Sequence, residues 1–313
     1  MSDPLSRRYV APVTTEQLPT DAVRVSGKPS NLWRDAWYDL RRRPLFWISL
    51  AFVALLLLMA AWPTLFTQVP PDNLCHLENS NKGPTEGHLL GFTFQGCDVF
   101  SRIVHGASTS LSVGLLSTII GSGIGWIMGT ISGYYGGWVD SLLSRIGDMF
   151  FSIPYILAAV VVMTVFEKYR NVFTLSLAIG GFAWAATARV VRAEVMRVRQ
   201  AEFITASKAV GRSKFSTLMA HVVPNAIAPL IVLGTLALAG GIVAESTLAF
   251  LGVGLGTETM SWGADISRAQ STLRVAPMSL IYPSIALTTA VLSFVVLGEL
   301  LRDAMDPKAR ATR

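Results

Sequence analysis

The sequence predicts an all-α, polytopic membrane protein with six transmembrane helices, and three observations carry that prediction. Hydrophobic residues make up 51% of the 313-residue chain and charged residues only 15%, with a mean hydropathy of +0.48. Soluble proteins of this length are rarely so apolar. A bilayer core about 30 Å thick takes roughly 20 mostly apolar residues per helical crossing. Six uncharged windows near that length occur, at 45–66, 111–131, 149–166, 171–188, 225–244 and 277–298. Finally, 20 of the 26 Lys and Arg residues fall in the N-terminal segment, the second-to-third connection, the long fourth-to-fifth connection and the tail. Basic residues concentrate in inner loops, so both termini and the long connection are expected on the cytoplasmic side of the membrane. The net charge of +6 thus reports topology and not nucleic-acid binding.

Residues 1–30, rich in Pro, Thr, Ser and Val without helical periodicity, read as a flexible cytoplasmic tail. Segment 31–44 sets Trp33, Trp37 and Leu40 on one helical face beside arginines, the pattern of a helix on the membrane surface or of an extension of the first crossing. The first crossing is 45–66, too long and too late for a cleavable signal. Segment 67–105 is expected outside and holds the only two cysteines, Cys75 and Cys97. A disulfide there would stabilise by about 3 kcal/mol in the chain-entropy model and is favoured over two free thiols. A metal site with His76 and His88 matches no zinc spacing.

The core is expected at 106–302, followed by a tail at 303–313. In the second crossing, Gly121, Gly125 and Gly129 form small-xxx-small registers that let helices approach closely. The glycines form no dinucleotide fingerprint, since position 126 is Trp, and no phosphate-binding P-loop occurs. Only Glu245 and Glu299 are candidate intramembrane carboxylates, both near helix ends, which argues against an ion-driven carrier. No nucleophile and base arrangement stands out, so an enzyme is the weaker class.

That leaves the long connection, 189–225. Its centre, 201–211, reads as a short helix with Glu202 at its start, Lys208 near its end and Gly211 suited to a left-handed cap. Phe203, Ser207 and Val210 fall on one face, and Ala206, Ser207 and Ala209 are small enough for another surface to approach. After it, His221-Val-Val-Pro224-Asn225 is expected to break the helix before the fifth crossing.

Segment 202–211 followed by this His-Val-Val-Pro-Asn resembles the cytoplasmic E-A-A…G loop of bacterial ABC-importer permeases, particularly the C-type permease of dipeptide and oligopeptide systems. Further segments match that family in order. They include Gly96-Cys97-Asp98 with 101–106, 133–140, 148–154, 188–194, 246–254, 261–263 and 301–307. The resemblance implies a binding-protein-dependent ABC-importer permease fold forming half of a pathway for peptides, haem or metal chelates. It also implies a paralogous second permease, two ATPase subunits or one fused pair that carry ATP and Mg, and an extracytoplasmic solute-binding protein. No cofactor is expected in this chain. Contact with an ATPase subunit is expected at Glu202, Phe203, Thr205, Ala206, Ser207, Lys208, Gly211 and Arg212. Thr205 stands where the family has its own glutamate, and Ser207 where it has the second alanine. Cys97 stands where the family commonly has Arg, which makes a local disulfide with Cys75 the natural account.

Overall fold

The computed structural model describes residues 32–73, 75–256 and 259–305, so the tail at 1–30 and most of that at 303–313 lie outside the described residues. The helices in chain order are α1 (Leu32–Leu40), α2 (Pro44–Ala61), α3 (Val99–Tyr135), α4 (Gly137–Ser152), α5 (Tyr155–Val165), α6 (Val172–Arg199) and α7 (Glu202–Ala209). They continue with α8 (Lys214–Thr217), α9 (Val223–Ala226), α10 (Ala228–Phe250), α11 (Trp262–Ala269) and α12 (Met278–Met305). Among the described residues α2, α3, α6, α10 and α12 are each long and apolar enough to cross a membrane. A sixth span arises if α4 and α5 count as one broken crossing, bent by 79°.

That bend departs from the straight crossing expected over 149–166. Pro154 explains it: the ring disfavours helical backbone at the preceding residue, and Ile153 accordingly lies extended at φ −90°, ψ 121°. Pro44 acts the same way on Arg43, so α1 is a separate helix turned off α2 and not an extension of it. The apolar face of α1 is also shifted. Ala36 and Leu40 are buried against Leu297, Leu300, Leu301 and Ala304 of α12, whereas Trp37 is half exposed.

At 37 residues, α3 is about 55 Å long. It opens at Val99, before the boundary expected at residue 106, because Asp98 caps it by accepting the Ser101 N–H at 2.5 Å. It packs along α6 through its glycines. A Cβ on Gly129 would sit 2.6 Å from the Ala188 carbonyl oxygen, and one on Gly125 2.7 Å from Thr187 Cβ, so only glycine allows this approach. Two buried clusters complete the bundle. One joins α2, α3, α10 and α12 around Trp262, and the other joins α3, α5, α6 and α10 around Met163 and Leu175.

Following the chain, α1, the α6–α7 turn and the end of α12 share one end of the bundle, here termed the basic end. The opposite end holds the segment before α3, together with α11. There Gly96, at φ +76°, packs directly on the His76 backbone, which sets Cys97 beside Cys75. The two sulfurs are bonded, with Cα atoms 4.2 Å apart. For the natural protein, we expect mass spectrometry under non-reducing conditions to recover these two peptides cross-linked; two alkylatable thiols in the folded protein would refute the pairing.

Candidate functional site

The long connection folds back on the basic end as a compact unit. After α6, backbone bonds from Ala201 N–H to Val198 O (3.0 Å) and from Ile204 N–H to Ala201 O (3.0 Å) reverse the chain into α7. Glu202 lies in the first turn of α7 and Lys208 in the last, so both charges agree with the helix dipole. At the far end Gly211, at φ +85°, donates to Lys208 O (3.0 Å), and Arg212 N–H donates to Ser207 O (3.3 Å). This pair of bonds is a Schellman cap, and it needs the left-handed residue that glycine supplies without strain.

One residue anchors the helix. Ile204 is fully buried in a cluster with Tyr134 of α3, Val191, Val195 and Val198 of α6, and Leu218, Val222 and Ala226 beyond. Its truncation to Ala is expected to cost about 2–5 kcal/mol. Around it, hydrogen bonds fix the unit to the bundle. The Tyr134 hydroxyl donates to Lys214 O (2.8 Å), and Ser207 Oγ lies 3.3 Å from Thr217 Oγ1. Asp140 at the start of α4 receives Arg192 of α6 through Nε (2.5 Å) and Nη2 (2.6 Å), with Ser132 of α3 also donating. Two-pronged pairing of this kind ties α3, α4 and α6 together near the basic end.

The outward face is different in kind. Glu202, Phe203, Thr205, Ala206, Lys208 and Ala209 are exposed, and Val210 reaches 88%. Phe215 of α8 and Met219 extend the same apolar exposure. A face this apolar, rimmed by Glu202 and Lys208 and rigidly backed, is suited to burial against another surface. The structure therefore divides the sequence-derived candidates. Glu202, Phe203, Thr205, Ala206 and Lys208 line the outer face, whereas Ser207 turns partly inward to Thr217. Gly211 shapes the cap. Arg212 is tied back into its own loop, with Nε on Ser216 Oγ (2.9 Å) and Nη1 beside His221 Nε2 (2.8 Å), so its reach as a rim charge is reduced.

Sequence reasoning missed Ile204, Tyr134 and Phe215. Phe215 stands between Lys214 and Ser216, but Ile204 follows Phe203 and Tyr134 precedes Tyr135, so no local pattern says which of them turns inward; that depends on how α7 docks. The expected break at 221–225 is also corrected. The chain stays helical through a wide π turn, Leu218–Val222, into α9, whose second residue is Pro224; such a local widening is one way a helix accommodates the N–H that proline lacks. The interruption comes at Ile227, just before α10.

Between α3, the α4–α5 break, α6 and α10 lies a cavity of about 570 Å³. Its lining includes Ser117, Thr118, Phe150, Tyr155, Phe182 and Thr187, and contains no charged side chain. Glu245 is not part of it: that carboxylate is buried, accepting from Ser110 and Ser246 at 3.2 Å each.

Two family models and the curated relatives agree with this architecture. The family described as "Binding-protein-dependent transport system inner membrane component" matches residues 121–311, and the "N-terminal TM domain of oligopeptide transport permease C" matches residues 31–84. The chain is 33% identical over 279 residues to the glutathione transport system permease protein GsiD of Pectobacterium atrosepticum, covering 89% of this chain and 92% of that protein. It is 33% identical over 278 residues to the protein of the same name from Escherichia coli O157:H7, covering 89% and 91%. A solved structure described as inward-facing conformations of the MetNI methionine ABC transporter aligns at TM-score 0.47 and 21% identity, over 68% of this chain and 96% of that chain. The chain belongs to the membrane permease subunits of binding-protein-dependent ABC importers, in the oligopeptide-permease branch, and is a transport component whose ATP hydrolysis sits in separate subunits.

Proposed function

We propose that this permease imports short peptides, glutathione among them, and that α7 is the helix through which ATPase subunits drive it. The observation that carries the second part is the construction of α7 itself: anchored inward by Ile204, capped by Gly211, and presenting an outer face that is exposed among the described residues. A short rigid helix held between α6 and α10 can pass a displacement to two membrane-crossing helices at once, which converts closure of a partner into a change of access. In this reading the groove that receives α7 belongs to an ATPase subunit carrying ATP and Mg. A paralogous permease completes the pathway, and a solute-binding protein docks at the opposite end. The positive-inside bias supports a cytoplasmic location for the basic end and both termini.

The peptide assignment is supported by the oligopeptide-type N-terminal match and by the glutathione permeases at 33% identity. The charge-free lining of the cavity fits solutes whose side chains vary in charge, since it neither attracts nor repels one sign. The test is uptake by proteoliposomes holding the permease pair, the ATPases and the binding protein. Labelled glutathione and a neutral dipeptide should enter only with ATP inside. Uptake of haem or a metal chelate with no peptide uptake would overturn the substrate reading and leave the coupling surface standing.

A further inference from the structure

The turn between α1 and α2 carries three consecutive arginines in two different situations. Arg43 is neutralised within the chain, by Asp39 at 2.9 Å and Asp303 of α12 at 3.0 Å. Arg41 and Arg42 meet no carboxylate among the described residues. Both instead stand over one aromatic ring, with their guanidinium carbons 4.5 Å and 4.0 Å from the centroid of Tyr38. Arg42 also donates to the Tyr38 hydroxyl. Two like charges gathered about one ring repel each other, and an anion within reach of both relieves that repulsion.

The surroundings identify the anion's carrier. Trp37, Phe46 and Trp47 form an edge-to-face cluster with centroids 5.5–6.4 Å apart, and Trp37 and Trp47 are each about half exposed. The Trp47 indole N–H donates to Arg41 O at 3.0 Å, which fixes the elbow. Below it α2 exposes Leu45, Ile48, Phe52 and Leu55 along an 18-residue apolar helix. Half-wet tryptophans at the mouth of a crossing helix sit at the level of lipid headgroups, and the apolar face beneath them is where acyl chains lie. The packing partner of α1 is α12, so the elbow lies apart from the face of α7.

We propose that the α1–α2 elbow is a binding site for an anionic glycerophospholipid, whose phosphate is held by Arg41 and Arg42 beside Tyr38 while its acyl chains run along α2. Because Ala36 and Leu40 of α1 are packed on the last turns of α12, an occupied site steadies that end of α12. The proposal does not depend on the substrate or on the ATPase contact.

The test is native mass spectrometry of the assembled importer, released from detergent containing equal phosphatidylglycerol and phosphatidylcholine. Each arginine near an anionic membrane surface is worth about five-fold in binding. Wild type should therefore retain phosphatidylglycerol at least about ten-fold over phosphatidylcholine, and R41Q/R42Q should lose most of that preference. R41K/R42K, which keeps the charges, should keep most of it, and K168Q at the opposite end should not alter it. Inorganic phosphate at millimolar concentration should leave the bound lipid in place. Equal retention of the two lipids by wild type, an unchanged preference in R41Q/R42Q, or complete displacement by free phosphate would each overturn the site.

Discussion

Substituting Ala206 by Trp is expected to reduce ATP-dependent uptake below about a tenth of wild type while the importer still assembles in the membrane. Ala206 is exposed on the outer face of α7, between Phe203 one turn before and Val210 one turn after, so the added ring meets none of the chain's own core. Folding is therefore spared. What suffers is a packed contact with a partner, where overfilling costs about 1–3 kcal/mol, or roughly five- to 150-fold in occupancy. Two companions separate the causes. Ile204→Ala empties a fully buried position and should lower the amount of folded protein as well as uptake. Gly211→Pro removes the N–H that bonds Lys208 O and imposes φ near −65° where the backbone has +85°, so the cap unravels while the bundle persists. Uptake and membrane level are measured together by transport assay and immunoblot. Normal coupled uptake by A206W at normal membrane levels would remove α7 from the coupling role.

The contrast between Ala206 and Ile204 also marks how far the sequence could be read. Hydropathy located five helices long and apolar enough to cross, because bilayer thickness constrains length and composition together, and it caught the third window only as a pair bent by 79°. The limits of α7 were legible too: Glu202, Lys208 and Gly211 are local signals, and each occupies the expected place in the helix. Orientation about the helix axis was not legible. Ser207 and Phe203 fall on one face by spacing alone, yet Ser207 leans towards Thr217 and Phe203 towards solvent, because the buried position is set by Ile204 meeting Tyr134 and Val195 from distant segments. The bend at Pro154 was readable in principle, since a residue before proline avoids helix, but the apolar run across it has the composition of a single span. The buried pairing of Arg102 with Asp265 joins residues 163 positions apart, and no local pattern announces it.

That pair should give the largest loss of stability from a single substitution at the end opposite α7. Arg102 and Asp265 side chains are 6% and 8% exposed, and the guanidinium donates to Asp265 Oδ1 through Nε at 2.9 Å and Nη2 at 2.5 Å. A third donor nitrogen reaches Pro71 O at 3.4 Å, so one side chain ties α3 to α11 and to the segment before α3. Arg268 approaches the same carboxylate oxygen only at 3.5 Å, while Oδ2 is buried without a hydrogen bond in the described structure. Asp265 thus depends on Arg102 for most of its compensation. Arg102→Ala leaves a desolvated carboxylate facing one distant cation, a situation that costs about 3–5 kcal/mol. Arg102→Lys should recover only part, since a single ammonium cannot reach Asp265 and Pro71 together. Replacing both members, Arg102→Met with Asp265→Leu, should be milder than Arg102→Ala alone, because no unpaired charge remains to be buried. Thermal unfolding of the purified importer, followed by loss of monodispersity, ranks the three variants. If Arg102→Ala melts with wild type, the pair is no support for α11; if the double substitution is the worst of the set, its geometry contributes more than the cost of burying its charges.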